Sequence, residues 1–143
     1  ALVKQLYVRD ESFLDKATAV SGSGPAYVFM LMEALIDAAV HLGWSRNDAK
    51  DMVVQTVRGA AMFAERSPVH PAEMRNMVTS PGGTTADAIY QLDKGGFRTV
   101  LSKAVMAAHQ RSVALGELDD AKANAIPAPD PKRTTKKTAR KRR

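Results

Sequence analysis

Two glycine-rich segments of the sequence combine residue types that bind anions. The first is SGSGP at residues 21–25, and the second is TSPGGTT at residues 79–85. Each precedes a segment with helical periodicity, so each is predicted to be a loop at the start of a helix. Glycine lets a ligand approach the backbone, and the first N–H groups of a helix are unpaired donors at the positive end of its dipole. This chemistry suits a carboxylate or a phosphate.

The second segment also supplies hydroxyl groups. Ser80, Thr84 and Thr85 can donate hydrogen bonds to an anion, and they can equally cap the helix that follows. Capping is the commoner use of such residues, so both interpretations stay open on spacing alone. The first segment is not a G-x-G-x-x-G fingerprint and no βαβ unit surrounds it, so it does not predict a dinucleotide site.

Other residues that perform chemistry are sparse. The chain has no cysteine, which excludes disulfide bonds, thiolate nucleophiles and cysteine-ligated metals. Its three histidines lack metal-binding spacing, so no metal site is predicted. Glu33 and Asp37 lie one helical turn apart and could form a coupled carboxylate pair. We favour the interpretation that they are the polar positions of an otherwise apolar helix.

The net charge of +6 comes from one end of the chain. Residues 127–143 contain eight basic residues and one acidic residue, whereas residues 1–126 contain 13 basic and 14 acidic residues. The terminal segment has no large apolar side chain, and we predict a disordered basic tail over residues 119–143. Such a tail binds polyanions at most nonspecifically, so no specific nucleic-acid partner is predicted.

The rest of the sequence predicts helices. Apolar periodicity and helix breakers indicate long helices over about 27–42 and 46–66, short helices from Pro71 and from about Thr84, and a last helix from about Phe97. No segment alternates as a half-buried strand does, and only residues 5–8 could form one short strand. The helix over 27–42 is apolar on faces that a monomer could not all cover. We therefore predict an all-α helical bundle that forms an obligate dimer.

The sequence predicts neither a membrane span nor a secretion signal. The longest uninterrupted apolar stretch covers residues 26–32, far below the ~20 residues that cross a bilayer. No charged start followed by an apolar region reads as a signal peptide. We expect a soluble, cytoplasmic protein.

Three motifs in this order resemble a known family. AVSGSGPAYVF at 19–29, HPAEMRNMVTSPGGTT at 70–85 and GGFR at 95–98 strongly resemble the C-terminal helical domain of pyrroline-5-carboxylate reductase, the last enzyme of proline biosynthesis. The resemblance covers about residues 1–116. It implies a helical domain over residues 12–118 whose long helices interlock with those of a second subunit. It also implies that residues 1–11 are the remnant of the end of a Rossmann domain.

The resemblance implies roles for the second segment. Ser80 and the backbone N–H groups of Gly83, Thr84 and Thr85 would bind the carboxylate of pyrroline-5-carboxylate. The Thr85 hydroxyl would hydrogen-bond the imine nitrogen of the ring as hydride reaches the adjacent carbon. Thr85 is therefore the catalytic residue that the resemblance implies.

The resemblance further implies the cofactor NAD(P)H, bound mainly by a Rossmann domain that lies upstream or in a separate chain. Gly24 and Pro25 would lie against the nicotinamide, and no segment of this sequence matches the family's phosphate-binding glycines. The sequence thus predicts the substrate-binding and dimerisation half of such a reductase, inactive by itself. The alternative is a helical dimerisation module that keeps the fold without catalysis.

Overall fold

A computed structural model describes residues 7–8 and 10–125, which are helical almost throughout and contain no strand. The helices are α1 (Ser12–Ala17), α2 (Gly24–His41), α3 (Arg46–Arg66), α4 (Pro71–Met77), α5 (Thr84–Lys94) and α6 (Phe97–Ala125), and a π-helical segment, Thr18–Gly22, lies between α1 and α2. The all-α prediction is confirmed. Tyr7 and Val8 lie in no strand. The rest of the possible strand, and most of the proposed Rossmann remnant, fall outside the described residues.

Local sequence signals set several helix ends. Ser45 caps α3 as predicted, because its hydroxyl oxygen accepts a hydrogen bond from the Asp48 N–H at 3.2 Å. The Ser45 hydroxyl also donates to the Asp48 carboxylate at 2.6 Å, so Asp48 does not reach the backbone N–H that a glutamate would bond in a capping box. Gly43 ends α2 with a φ of +99°, a conformation that favours glycine. His70, which the sequence did not indicate, caps α4 by accepting from the Ala72 N–H at 3.2 Å.

The predicted helix start is confirmed, because α2 begins at Gly24 with Pro25 in its first turn. The predicted loop before it is wrong, because residues 18–22 are π-helical and only a bend at Ser23 separates them from α2. The π-helical segment connects α1 to α2, and the Ser23 N–H donates to the Thr18 carbonyl at 2.8 Å. The Tyr27 hydroxyl donates to the Ala19 carbonyl at 3.1 Å and links the two sides of this wide turn. A π-helical turn accommodates an extra residue within a helix, so the glycines widen the helix here without ending it.

A single chain buries little of its apolar surface. Within the described residues only Ala19, Ala49 and Val53 are buried, whereas Phe29 and Met30 on α2 are 65% and 73% exposed. α2 packs on α3, and the π-helical segment packs on α6 and α1. Because small domains need most of their apolar surface buried to be stable, this exposed surface requires a further covering element.

The same stretch meets a length and composition test for a membrane span. Ser12–His41 contains 30 residues, and its 18-residue window has a mean hydropathy of 1.3 with 6% of that window buried. The uninterrupted run at 26–32, on which the prediction of no membrane span relied, underestimates this stretch. One such helix is weak evidence, because a helix covered by a second subunit passes the same test.

The last helix is longer than predicted. α6 extends to Ala125, so the predicted boundary at residue 118 falls inside a helix. Lys122 lies near the C-terminal end of α6, where the helix dipole stabilises a positive charge. Its Nζ is 3.7 Å from Asp119 Oδ1. The remaining residues of the predicted tail, 126–143, lie outside the described residues.

Candidate functional site

The TSPGGTT segment turns the chain from α4 into α5. Gly82 has a φ of +66°, which favours glycine. The Gly83 N–H donates to the Ser80 carbonyl at 3.1 Å and closes the turn. Gly83 is the residue at the N-cap of α5, and no side chain caps this helix. The segment therefore leaves the start of α5 open, and the capping interpretation of its hydroxyls is not supported.

The start of α5 carries donors that the described chain does not use. The N–H groups of Thr84 and Thr85 have no protein acceptor among the described residues, whereas the Ala86 N–H bonds the Gly83 carbonyl at 3.0 Å. The hydroxyls of Ser80, Thr84 and Thr85 likewise make no hydrogen bond within these residues, and Thr85 is half-buried. The arrangement offers two N–H groups and nearby hydroxyls to one small anion at a helix N-terminus.

The prediction that the Gly83 N–H binds the substrate is wrong, because this N–H already donates to the Ser80 carbonyl within the loop. The contribution of Gly83 is the absence of a side chain: a Cβ at this position would overlap the Ser80 hydroxyl oxygen and lie 3.2 Å from the Ser80 carbonyl oxygen. Thr79, which the sequence did not single out, fixes the other side of the loop through its hydroxyl, which donates to the Arg75 carbonyl at 2.7 Å.

A methyl group at position 83 tests this tight turn. We expect Gly83→Ala to lower the free energy of unfolding by roughly 0.5–1.5 kcal/mol, because the new Cβ must turn the exposed Ser80 hydroxyl out of its present rotamer. The backbone adds no strain, since the φ of Gly83 is −84°. The same substitution in a Ser80→Ala background should recover much of the loss. Thermal unfolding followed by circular dichroism measures both, and equal losses in the two backgrounds would contradict this account.

The SGSGP segment presents a different environment. Gly24 and Pro25 form the first turn of α2, and a Cβ at Gly24 would meet no atom within 4 Å. Pro25 is exposed, so open space lies beside this turn. The helix does not begin freely here, because the π-helical segment precedes it and the Ser23 N–H is already bonded. The segment therefore offers an anion fewer unpaired N–H groups than the start of α5 does.

The described chain does not bring the two segments together. α5 packs on α6, whereas α2 packs on α3 and on the π-helical segment, and no extensive contact joins α2 to α5 in the described residues. The candidate site residues thus form two groups: Gly24 with Pro25, and Ser80 with Gly83, Thr84 and Thr85. A site that uses both groups needs a second subunit or a further domain.

Other candidate chemistry is accounted for by local structure. Asp37 pairs with Arg46, with 2.9 Å between the carboxylate Oδ1 and the guanidinium Nη1, which agrees with its interpretation as a polar position of α2. Within residues 7–8 and 10–125, no group of three or more His, Asp or Glu residues could hold a metal ion.

Comparison with known proteins connects these features to one family. The family model described as pyrroline-5-carboxylate reductase dimerisation matches residues 11–115. The chain is similar to the pyrroline-5-carboxylate reductase of Pseudomonas aeruginosa, with 50% identity over 112 residues, 78% of this chain and 41% of that protein. It is also similar to the enzyme of that name from Pisum sativum, with 46% identity over 110 residues, 77% of this chain and 40% of the relative.

Solved structures show the same likeness. The pyrroline-5-carboxylate reductase of Coxiella burnetii matches with a TM-score of 0.75 and 44% identity, over 77% of this chain and 41% of that one. A Plasmodium falciparum pyrroline carboxylate reductase with NADP bound matches with a TM-score of 0.72 and 41% identity, over 75% of this chain and 41% of that one. The chain therefore spans about 41% of the length of the relatives that it matches.

Proposed function

This chain belongs to the pyrroline-5-carboxylate reductase dimerisation family, and we propose that it forms the dimerisation and substrate-binding half of a reductase. The whole enzyme would convert 1-pyrroline-5-carboxylate to L-proline with NAD(P)H. The observation that carries the proposal is the open start of α5, where the unused N–H groups of Thr84 and Thr85 lie in the TSPGGTT segment. The family model covers this segment as well as SGSGP.

The substrate carboxylate is assigned to the start of α5. The N–H groups of Thr84 and Thr85 would bind its oxygens, with the Ser80 hydroxyl as a further donor. A carboxylate is favoured there because the helix dipole is positive at its N-terminus. Gly83 supports this arrangement by holding the turn closed against Ser80 and by leaving no side chain in the path of the ligand.

The Thr85 hydroxyl is assigned to the imine nitrogen of the substrate ring. A cyclic imine accepts hydride more readily when its nitrogen is hydrogen-bonded or protonated, since positive character then develops at the adjacent carbon. Thr85 is half-buried, and its hydroxyl makes no hydrogen bond within the described residues. Because the same residue offers an N–H to the carboxylate, one turn of helix would fix both the position and the orientation of the ring.

NAD(P)H would be held mainly by a Rossmann domain upstream or in a separate chain, and when bound it supplies the hydride. The residues present fit only its nicotinamide end, because the open space at Gly24 and the exposed ring of Pro25 allow a flat group to lie against the first turn of α2. This chain alone is therefore expected to lack reductase activity.

The assembly that follows from this role is a homodimer or higher homo-oligomer. The exposed apolar side chains of α2 would be covered by a second subunit, which also explains why Ser12–His41 is so apolar. We place the protein in the cytoplasm, as a soluble enzyme without a specific nucleic-acid partner.

Binding of L-proline tests the carboxylate assignment. L-proline should bind with a roughly millimolar Kd, because part of the pocket wall belongs to the Rossmann domain. It should shift the backbone amide resonances of Thr84 and Thr85 in a nuclear magnetic resonance titration. Pyrrolidine, which has the same ring without the carboxylate, should shift neither. Equal shifts with both ligands, or shifts confined to Gly24 and its neighbours, would contradict the assignment.

A second candidate function is a dimerisation module without catalysis. The large exposed apolar surface of α2 favours it, because that surface requires only a partner chain and no substrate. The L-proline titration separates the two functions, since a module without a substrate site would show no shift that depends on the carboxylate.

A further inference from the structure

The Tyr27 hydroxyl plays no part in the proposed reductase site, although a specific contact holds it. It donates a hydrogen bond at 3.1 Å to the carbonyl of Ala19, which lies eight residues earlier. The Tyr27 side chain is half-buried, and Ala19 is only 1% exposed. Buried backbone carbonyls are almost always hydrogen-bonded, because water cannot reach them. The contact therefore meets a requirement of the backbone at this position.

The π-helical turn explains why the Ala19 carbonyl needs this donor. In an α-helix the Ser23 N–H would donate to the Ala19 carbonyl, four residues earlier. Here the same N–H donates to the Thr18 carbonyl at 2.8 Å. The wide turn thus removes the α-helical donor of a buried carbonyl, and the Tyr27 hydroxyl donates to it instead.

Gly24 and Pro25 lie in the chain between the two ends of this contact. Pro25 has no N–H, so it adds no backbone hydrogen bond between α2 and the π-helical segment. A Cβ at Gly24 would meet no atom within 4 Å, so no neighbouring group confines the turn on that side. These two residues therefore have few contacts of their own that could fix their position.

The Ala19 end of the contact is anchored in the fold. Ala19 is buried where the π-helical segment packs on α6 and α1. The Tyr27 hydroxyl thus connects the start of α2 to a part of the chain that two other helices hold. A surface that receives a flat ring binds it more tightly when the surface is already ordered, because binding then costs less conformational entropy.

We propose that Tyr27 is a positioning residue for the nicotinamide, because its hydroxyl holds Gly24 and Pro25 in the arrangement that the ring contacts. The inference rests on the proposed function and deepens it, since it names a residue that acts on cofactor binding without touching the cofactor. No extensive contact joins α2 to the start of α5 in the described residues. Loss of the hydroxyl should therefore weaken cofactor binding and leave binding of the substrate carboxylate unchanged.

Tyr27→Phe tests this assignment, because it removes one oxygen atom and keeps the ring. In an enzyme that joins this chain to its Rossmann domain, the variant should raise the Kd of the reduced cofactor about fivefold, the effect of one hydrogen bond. The Kd of the matching ADP-ribose, which lacks the nicotinamide, should not change, and neither should the Kd of L-proline. Isothermal titration calorimetry measures all three constants. The control Tyr90→Phe removes a hydroxyl from a side chain of α5 that is 63% exposed, and it should change none of them.

Nuclear magnetic resonance of this chain gives a measurement that does not depend on the cofactor. In Tyr27→Phe the amide resonances of Ser23 and Gly24 should shift and their hydrogen exchange should become faster, whereas the amides of Thr84 and Thr85 should be unchanged.

The outcomes separate this inference from the proposed function. An equal rise in the Kd of ADP-ribose and of the cofactor, no change in either Kd, or unfolding of Tyr27→Phe would overturn the inference and leave the proposed function intact. A wild-type enzyme that binds neither the cofactor nor L-proline would instead overturn the proposed function.

Discussion

Replacing Thr85 with alanine is expected to slow turnover by about ten- to a thousandfold in an enzyme that joins this chain to its Rossmann domain. The substitution would remove the hydrogen bond from the Thr85 hydroxyl to the imine nitrogen, which stabilises that nitrogen during hydride transfer. The N–H groups that bind the carboxylate belong to the backbone and would remain. Substrate binding should therefore weaken by only roughly 0.5–1.5 kcal/mol, the contribution of one hydrogen bond.

Matched variants separate the hydroxyl from the fold. Thr85→Ser keeps a hydroxyl at the same position and should retain most of the turnover. Thr99→Ala removes an exposed threonine from the first turn of α6 and should leave turnover unchanged. Steady-state kinetics give kcat and KM for each variant. Near-normal turnover of Thr85→Ala, with Thr85→Ser no better, would leave the loop with a binding role only.

The helix ends could be predicted where single residues dictate the backbone. Gly43 ends α2 at a positive φ, Ser45 caps α3, and Pro71 begins α4 in agreement with the sequence. These signals are local, because each depends on a residue and its neighbours within one turn. Such positions can therefore be identified from the sequence without knowledge of the tertiary fold.

The π-helical segment could not be predicted in this way. Glycine and serine at 21–24 read as helix breakers, yet the chain stays helical while Ala19 is buried where this segment packs on α6 and α1. Packing between residues far apart in sequence overrides the local preference here. The end of α6 was misjudged for a different reason, since residues 119–125 contain neither glycine nor proline and the local sequence itself allows the helix to continue.

The candidate site was predictable in part. The TSPGGTT pattern predicts a loop at the start of α5 but leaves capping and anion binding both open, whereas the structure leaves the N–H groups of Thr84 and Thr85 available. That Gly83 uses its own N–H to close the turn depends on loop geometry that spacing does not specify. A site that combines the two glycine-rich segments requires a second subunit or a further domain. The sequence pattern of one chain does not specify how such a partner would bring them together.

The proposed dimer predicts a large effect of substituting Phe29 on α2. Its side chain is 65% exposed in the single chain. If that surface faced water in the functional protein, Phe29→Asp would change the free energy of unfolding by no more than about 0.5 kcal/mol. In a dimer that buries it, the substitution removes about 1.5–3 kcal/mol of apolar burial and adds the larger cost of a buried, unpaired charge. We therefore expect Phe29→Asp to abolish the dimer and unfold the chain at micromolar concentration.

Sedimentation velocity and circular dichroism of the same samples distinguish the possible outcomes. Lys50→Asp places the same carboxylate at an exposed position of α3 and should leave a folded dimer. A Phe29→Asp chain that remains a folded dimer would place the interface elsewhere, and a folded monomer would show that the subunits do not depend on each other. Insertion of Ser12–His41 into a membrane would instead make the wild-type chain require detergent to stay in solution. A wild-type chain that is dimeric without detergent, and that unfolds when Phe29 becomes charged, would assign the apolar surface of α2 to subunit association.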